Sequence, residues 1–159
     1  TITRAQFATM FYRLAGQPES SADGKFTDLT EDWYVKAVNW AAANGIINGT
    51  SENTFSPYDT ITREQIAAIL YRYAETRGLN MLYGDGWYFA NSFYSDKDDI
   101  SDYARVPMEW CFANYVMFDV VDRSNGYEIL IGAKIAPTRA DTALIFSKIG
   151  TLLEYEAKN

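Results

Sequence analysis

The sequence predicts a mainly α protein assembled from helix-loop-helix repeats, and three observations carry that expectation. A Thr-Arg signature occurs three times, each time opening a segment of helical apolar spacing. A second unit, built on a tryptophan with an asparagine four residues later, occurs twice. The connections between these segments are polar and rich in Gly, Asn and Pro. Self-similarity at a fixed order of parts is the mark of a repeat architecture.

The first Thr-Arg segment is Ile2-Thr3-Arg4-Ala5-Gln6. Thr3 is a natural N-cap, and Gln6 stands three residues on, where it completes a capping box. Phe7, Met10, Phe11 and Leu14 follow at intervals of three and four, which places them on one buried stripe. The second segment, Ile61-Thr62-Arg63-Glu64-Gln65, repeats the cap with Thr62 and Gln65 and continues through Ile66, Ile69, Leu70 and Tyr73. In the third, Thr138-Arg139-Ala140-Asp141, an aspartate takes the glutamine's place, and Ile145, Phe146 and Ile149 form the stripe. Gly16, Gly78 and Gly150 fall where a left-handed residue is expected to end each helix.

The second unit begins with an aromatic-x-Asp triplet, Phe26-Thr27-Asp28 or Tyr94-Ser95-Asp96. Asp32-Trp33-Tyr34 then leads into a helix through Trp40 to Asn44, and Asp102-Tyr103-Ala104 into one through Trp110 to Asn114. A turn-rich loop, Asn48 to Pro57, follows the first. Its counterpart, Phe118 to Ile135, sets Ser124-Asn125-Gly126 between two apolar runs and is expected to form a short β-hairpin with a tight Asn-Gly turn. The spacing from Arg4 to Arg63 is 59 residues and from Arg63 to Arg139 is 76. The organisation read from this is a second half-repeat at 1–18, a full repeat at 26–78, an insertion or linker at 79–93, and a degenerate full repeat at 94–155.

Composition narrows the function. A net charge of −7 disfavours nucleic acid, since phosphate binding needs a basic surface. No apolar run is long enough to cross a membrane, so no membrane insertion is expected. The chain has no histidine, which removes the commonest general base and metal ligand. Its one cysteine, Cys111, lies in an apolar helical run and reads as a core residue. Asp96 to Asp102 is acidic enough to suggest calcium, but it lacks the spacing of an EF-hand loop and reads as helix-start acids. No catalytic pair, nucleophile elbow or phosphate loop is marked, so the chain is expected to be no enzyme and to need no cofactor or metal.

Taken together, Phe26-x-Asp28, Trp33, the helix through Trp40, Asn48-Gly49-Thr50, Phe55-Ser56-Pro57 and Ile61-Thr62-Arg63-Glu64 resemble the S-layer homology family. The third copy departs from the pattern, with Phe118-Asp119-Val120 where the second has Asn48-Gly49-Thr50. The resemblance implies a pseudo-threefold helical bundle with the Thr-Arg helices at its centre. It also implies non-covalent anchoring at the bacterial cell wall or S-layer, outside the cell. The implied ligand is a secondary cell-wall polysaccharide, often pyruvylated, held in grooves between repeats by the motif arginine and the Gly loop.

The chemistry agrees with that implication. Arginine's planar fork fits a carboxylate with two parallel hydrogen bonds. At the first helical position, free backbone N–H groups and the helix dipole would favour the same anion, and Gly49 would let a ligand approach the backbone. Arg4, Arg63, Arg139, Trp33, Asn48, Gly49 and Thr50 are therefore the candidate ligand-binding residues. The plain alternative is that the arginines are exposed first-turn residues paired with acids. Trp40 reads as core. A second functional reading is a repeat scaffold for protein partners or self-assembly without a sugar. In it, the exposed central helix of the first half-repeat would recruit either an upstream half-repeat or another copy.

Overall fold

The structure, a computed structural model, describes residues 1–19, 24–79, 81, 89, 93–124 and 126–156. The 79–93 insertion expected from the sequence lies almost wholly outside the described residues. The described fold is mainly α with one two-stranded antiparallel hairpin. Its helices are α1 (Arg4–Leu14), α2 (Asp32–Ala43), α3 (Arg63–Thr76), α4 (Arg105–Ala113) and α5 (Arg139–Glu156). Two 3₁₀ turns, Lys97–Asp99 and Asp102–Ala104, lead into α4.

Each Thr-Arg helix starts where its cap dictates. Reciprocal capping boxes close the starts of α1 (Thr3 with Gln6) and α3 (Thr62 with Gln65). At α5 the Thr138 hydroxyl accepts from the Asp141 N–H at 3.2 Å, while the Asp141 carboxylate accepts from the Thr138 N–H at 2.9 Å. The stripes these helices present meet at the centre. Phe7 stacks on Phe146 with ring centroids 5.2 Å apart, and Phe11 meets Tyr73 edge-on at 4.9 Å, joining α1 to α5 and to α3. The outer helices pack on the inner ones through their tryptophans: Trp40 of α2 lies against Phe11 and Tyr12, and Trp110 of α4 against Tyr71. Both tryptophans are buried.

The recurrence extends to the backbone. Asn44 and Asn114 each turn their side-chain amide onto the tryptophan carbonyl four residues back, at 2.8 and 2.9 Å. The aromatic-x-Asp triplets pin the loops: Asp28 accepts from the Phe55 and Ser56 N–H groups, and Asp96 from those of Ile131 and Gly132. Asp96 is thus a loop staple rather than a solvated helix-start acid.

Two local expectations change. Gly16 and Gly78 do sit at positive φ just past their helices, but Gly150 lies inside α5, which runs on to Glu156. The stripe simply continues through Leu152 and Leu153, which pack on the core. The hairpin forms with β1 (Val120–Asp122) pairing β2 (Glu128–Leu130), but its last pair is Asp122 with Glu128. Five residues, 123–127, therefore connect the strands instead of a two-residue turn. Asn125 lies outside the described residues.

Candidate functional site

The loop after each outer helix folds back over the start of an inner helix. The loop at 48–59 covers the start of α1: the Arg4 N–H donates to the Asp59 carbonyl and the Ala5 N–H to that of Pro57, both at 2.9 Å. The loop at 118–135 does the same for α3, where Arg63 and Glu64 donate to Ile135 and Ala133 at 3.0 Å. These N–H groups are therefore satisfied by the protein itself. The expectation that free helix-start N–H groups would bind an anion fails at both places, because a neighbouring loop has supplied carbonyl oxygens.

The arginine side chains are equally engaged. Arg4 is only 5% exposed and lies over the Phe55 ring at 4.7 Å. Its Nε donates to the Phe55 carbonyl at 2.8 Å, Nη2 to that of Asn48 at 3.0 Å, and Nη1 to the Gln65 side chain at 3.4 Å. Arg63, also buried, donates from Nε to Ile131 at 3.3 Å and from Nη2 to the Phe118 carbonyl. Burial lowers both guanidinium pKa values, and nearby carboxylates, Asp59 for Arg4 and Asp141 for Arg63, pull the other way. Arg139 is exposed, and no loop covers the start of α5 among the described residues.

A groove opens beside each buried arginine. The first has a volume of about 400 Å³. Arg4 and the segment Asn48-Gly49-Thr50 form one wall, so four of the sequence candidates meet here. The other wall is α3, through the stripe Gln65, Ala68, Ile69 and Arg72, with Tyr103 at the end. Among the described residues, two guanidinium groups and no carboxylate line this groove. Gly49 is also required by the fold of the loop. A Cβ there would lie 2.3 Å from the Thr54 carbonyl and 2.6 Å from the Phe26 ring, so the absent side chain makes room for the loop itself. Tyr103 is half exposed, and its hydroxyl donates to Glu64 at 3.1 Å. Burial and the Glu64 carboxylate push that hydroxyl up to about 12.

The second groove, about 360 Å³, is built on the same frame with opposite chemistry. Asp119 stands where the first has Gly49, and Asp141 where it has Gln65. Hydrogen bonds from Thr138, with help from Arg63, hold the Asp141 carboxyl below its usual range, so it is ionised. Phe118, Val120, Leu144 and Ile145 make much of the remaining surface apolar. With two carboxylates and one buried arginine that already donates to two carbonyls of its covering loop, this groove opposes an anion.

Trp33 lies in neither groove. It is 47% exposed, donates its indole N–H to Glu31 at 2.7 Å, and meets Tyr34 edge-on. Sequence reasoning passed over Arg72 and Tyr103, although signals for both were present. Arg72 follows Arg63 by nine residues, as Arg13 follows Arg4 and Lys148 follows Arg139, and Tyr103 aligns with Trp33. Among the described residues no cluster of three or more acidic, histidine or cysteine side chains is placed to hold a metal ion, and no helix is long and apolar enough to cross a membrane.

Comparison with known proteins gives a consistent picture. Residues 25–67 match the S-layer homology domain. The chain is 39% identical over 106 residues to an amylopullulanase of Thermoanaerobacterium thermosulfurigenes, covering 66% of this chain and 5% of that protein. It is 31% identical over 149 residues to the surface-layer 125 kDa protein of Lysinibacillus sphaericus, covering 93% of this chain and 12% of that protein. With a cellulosome-anchoring protein of Acetivibrio thermocellus the identity is 35% over 83 residues, covering 48% of this chain and 18% of that protein. The chain thus spans a small fraction of the length of the relatives it matches.

Proposed function

Because the chain belongs to the S-layer homology family, whose domain it carries at residues 25–67, we propose that it is a non-catalytic module that holds a larger protein at the bacterial cell surface by binding an acidic secondary cell-wall polysaccharide. Such a module suits relatives as different as an amylopullulanase and a surface-layer protein, each matched over a small part of its length. The repeat organisation goes with this reading: a half-repeat at 1–18, a full repeat at 26–78 and a degenerate one at 94–155.

One observation carries the ligand class. The Arg4 groove is lined by two guanidinium groups, a polar loop and an aromatic ring, with no carboxylate among the described residues that line it. That combination suits a sugar bearing a carboxylate, such as a pyruvate ketal. The charge is met by arginine and the apolar ring face by Tyr103. The overall charge of −7 gives no long-range attraction, so binding rests on short-range contacts in the groove and on avidity along a polymer. Arg63 sits beside a groove of unsuitable charge and serves as a scaffold residue, and Arg139 and Trp33 lie outside both grooves.

The test is sedimentation with purified wall sacculi, native or stripped of their polysaccharide by acid. Retention on native sacculi alone is expected. Equal retention on both, or none on either, refutes the polysaccharide reading. A second reading, a scaffold for protein partners, is favoured by the uncovered start of α5 with Arg139 and Leu144 exposed. Self-association, or docking of a half-repeat there, would show as a concentration-dependent mass in analytical ultracentrifugation.

A further inference from the structure

The two arginines of the first groove are in different states. Arg4 is nearly inaccessible, and all three of its guanidinium nitrogens already donate to Phe55, Asn48 and Gln65. Arg72 is half buried and, among the described residues, makes a single long hydrogen bond, from Nη1 to the Ile46 carbonyl at 3.4 Å. Among the described residues no carboxylate forms an ion pair with it. It stands on the α3 stripe of residues 65, 68, 69 and 72 that forms the groove wall, so its fork is presented to whatever the groove contains. A guanidinium has five N–H donors, and among the described residues one of these has a partner. At the corresponding position beside the second groove, Lys148 lies over the Phe118 ring at 5.8 Å. That cation is turned to an aromatic face, in keeping with a groove that opposes anions.

We infer that Arg72 is the guanidinium that pairs with the ligand's carboxylate in the first groove, and that Arg4 is a positioning residue that holds the Asn48-Gly49-Thr50 wall opposite it. The recurrent Thr-Arg motif thus builds the groove, and a residue two and a half turns further along the neighbouring helix reads the charge. This rests on the proposal that the groove binds a carboxylate-bearing sugar.

The experiment is calorimetric titration of the full chain with carboxylated wall polysaccharide and with the same polymer after reduction of its carboxylates to alcohols. The wild type is expected to bind the reduced polymer about tenfold more weakly. Arg72→Gln should bind both polymers equally, at the wild type's level for the reduced one, with an unchanged melting temperature. Arg72→Lys should restore part of the discrimination. Arg4→Gln should melt earlier and bind more weakly overall, yet still distinguish the two polymers. If Arg72→Gln binds the native polymer like the wild type, or binds weakly but still discriminates, Arg72 does not read the carboxylate. If the wild type binds neither polymer, the polysaccharide proposal itself falls, and this inference with it.

Discussion

Replacing Glu64 tests how the first groove is held together. Glu64 follows the motif arginine on α3 and is 5% exposed. Its carboxylate accepts from the Ser101 N–H and hydroxyl and from the Tyr103 hydroxyl, each at 3.1 Å, and from Lys134 at 2.8 Å. It thereby ties α3 to the turn that carries Tyr103 and to the loop that covers the start of α3. Ser101 and Tyr103 are partly exposed, so water would replace some of what they lose, and each bond counts for about 1 kcal/mol. The Lys134 side chain is 53% exposed, so its ion pair adds at most about 1 kcal/mol. Glu64→Ala should therefore cost about 3 kcal/mol, a fall in melting temperature of roughly 6–12 °C for a chain of this size. Glu64→Gln keeps an acceptor but loses the charge and should cost about 1–2 kcal/mol. The pH dependence has a defined sign. Hydrogen bonds from Lys134 and Ser101 outweigh desolvation, which pushes the other way, and leave the folded carboxyl pKa below its usual 4.5. The charged form's contribution is therefore complete above that value and is lost as pH falls through the lower, folded one. Urea unfolding followed by circular dichroism at pH 7 and again near pH 3 should show the gap between wild type and Glu64→Gln closing in acid. A gap that stays constant or widens, or Glu64→Ala within 0.5 kcal/mol of wild type (about the spread of neutral surface changes), would refute the reasoning.

Three further outcomes are expected. Gly49→Ala should destabilise the chain by about 2 kcal/mol, because its Cβ would meet carbonyl oxygens at 2.3 and 2.5 Å; an unchanged unfolding midpoint would show that the loop yields freely. Tyr103→Phe should leave polysaccharide affinity within about twofold, whereas Tyr103→Ala should lower it roughly fivefold, the worth of one ring contact; equal losses in both would assign the effect to the hydroxyl. Cys111 is fully buried, and desolvation pushes its thiol pKa upward. A thiol reagent should therefore label it only at the rate of global unfolding, and fast labelling of the folded protein would contradict its place in the core.

The helices were legible because their signals are local. A threonine cap, a glutamine three residues on and apolar residues every three or four positions specify a helix start and a buried face without knowledge of the rest of the fold. The paired Trp-Asn units were legible for the same reason, and Trp40 lies in the core as read. A local signal misleads where a longer pattern overrides it, as at Gly150, where the stripe of α5 runs past the glycine, and where a long-range contact claims the residue, as at Asp96, which holds the loop at Ile131 and Gly132.

The site was legible in its membership but not in its assembly. The sequence by itself determined that Arg4 and Arg63 are structurally special, since the Thr-Arg motif recurs at the same helical position, and that Asn48-Gly49-Thr50 belongs to the loop that completes the family pattern. It left open which of the motif arginines the Gly loop serves. Only the tertiary structure decided that the loop at 48–57 closes over Arg4 from the preceding repeat and shares its groove with Arg72 and Tyr103 from elements far away in sequence. The same decision sets Asp119 and Asp141 around Arg63 and, among the described residues, leaves the start of α5 uncovered. The physical reason is that caps and stripes are satisfied within a few residues, whereas the charge of a groove is the sum of side chains from separate repeats, and their juxtaposition is fixed by how the central helices pack.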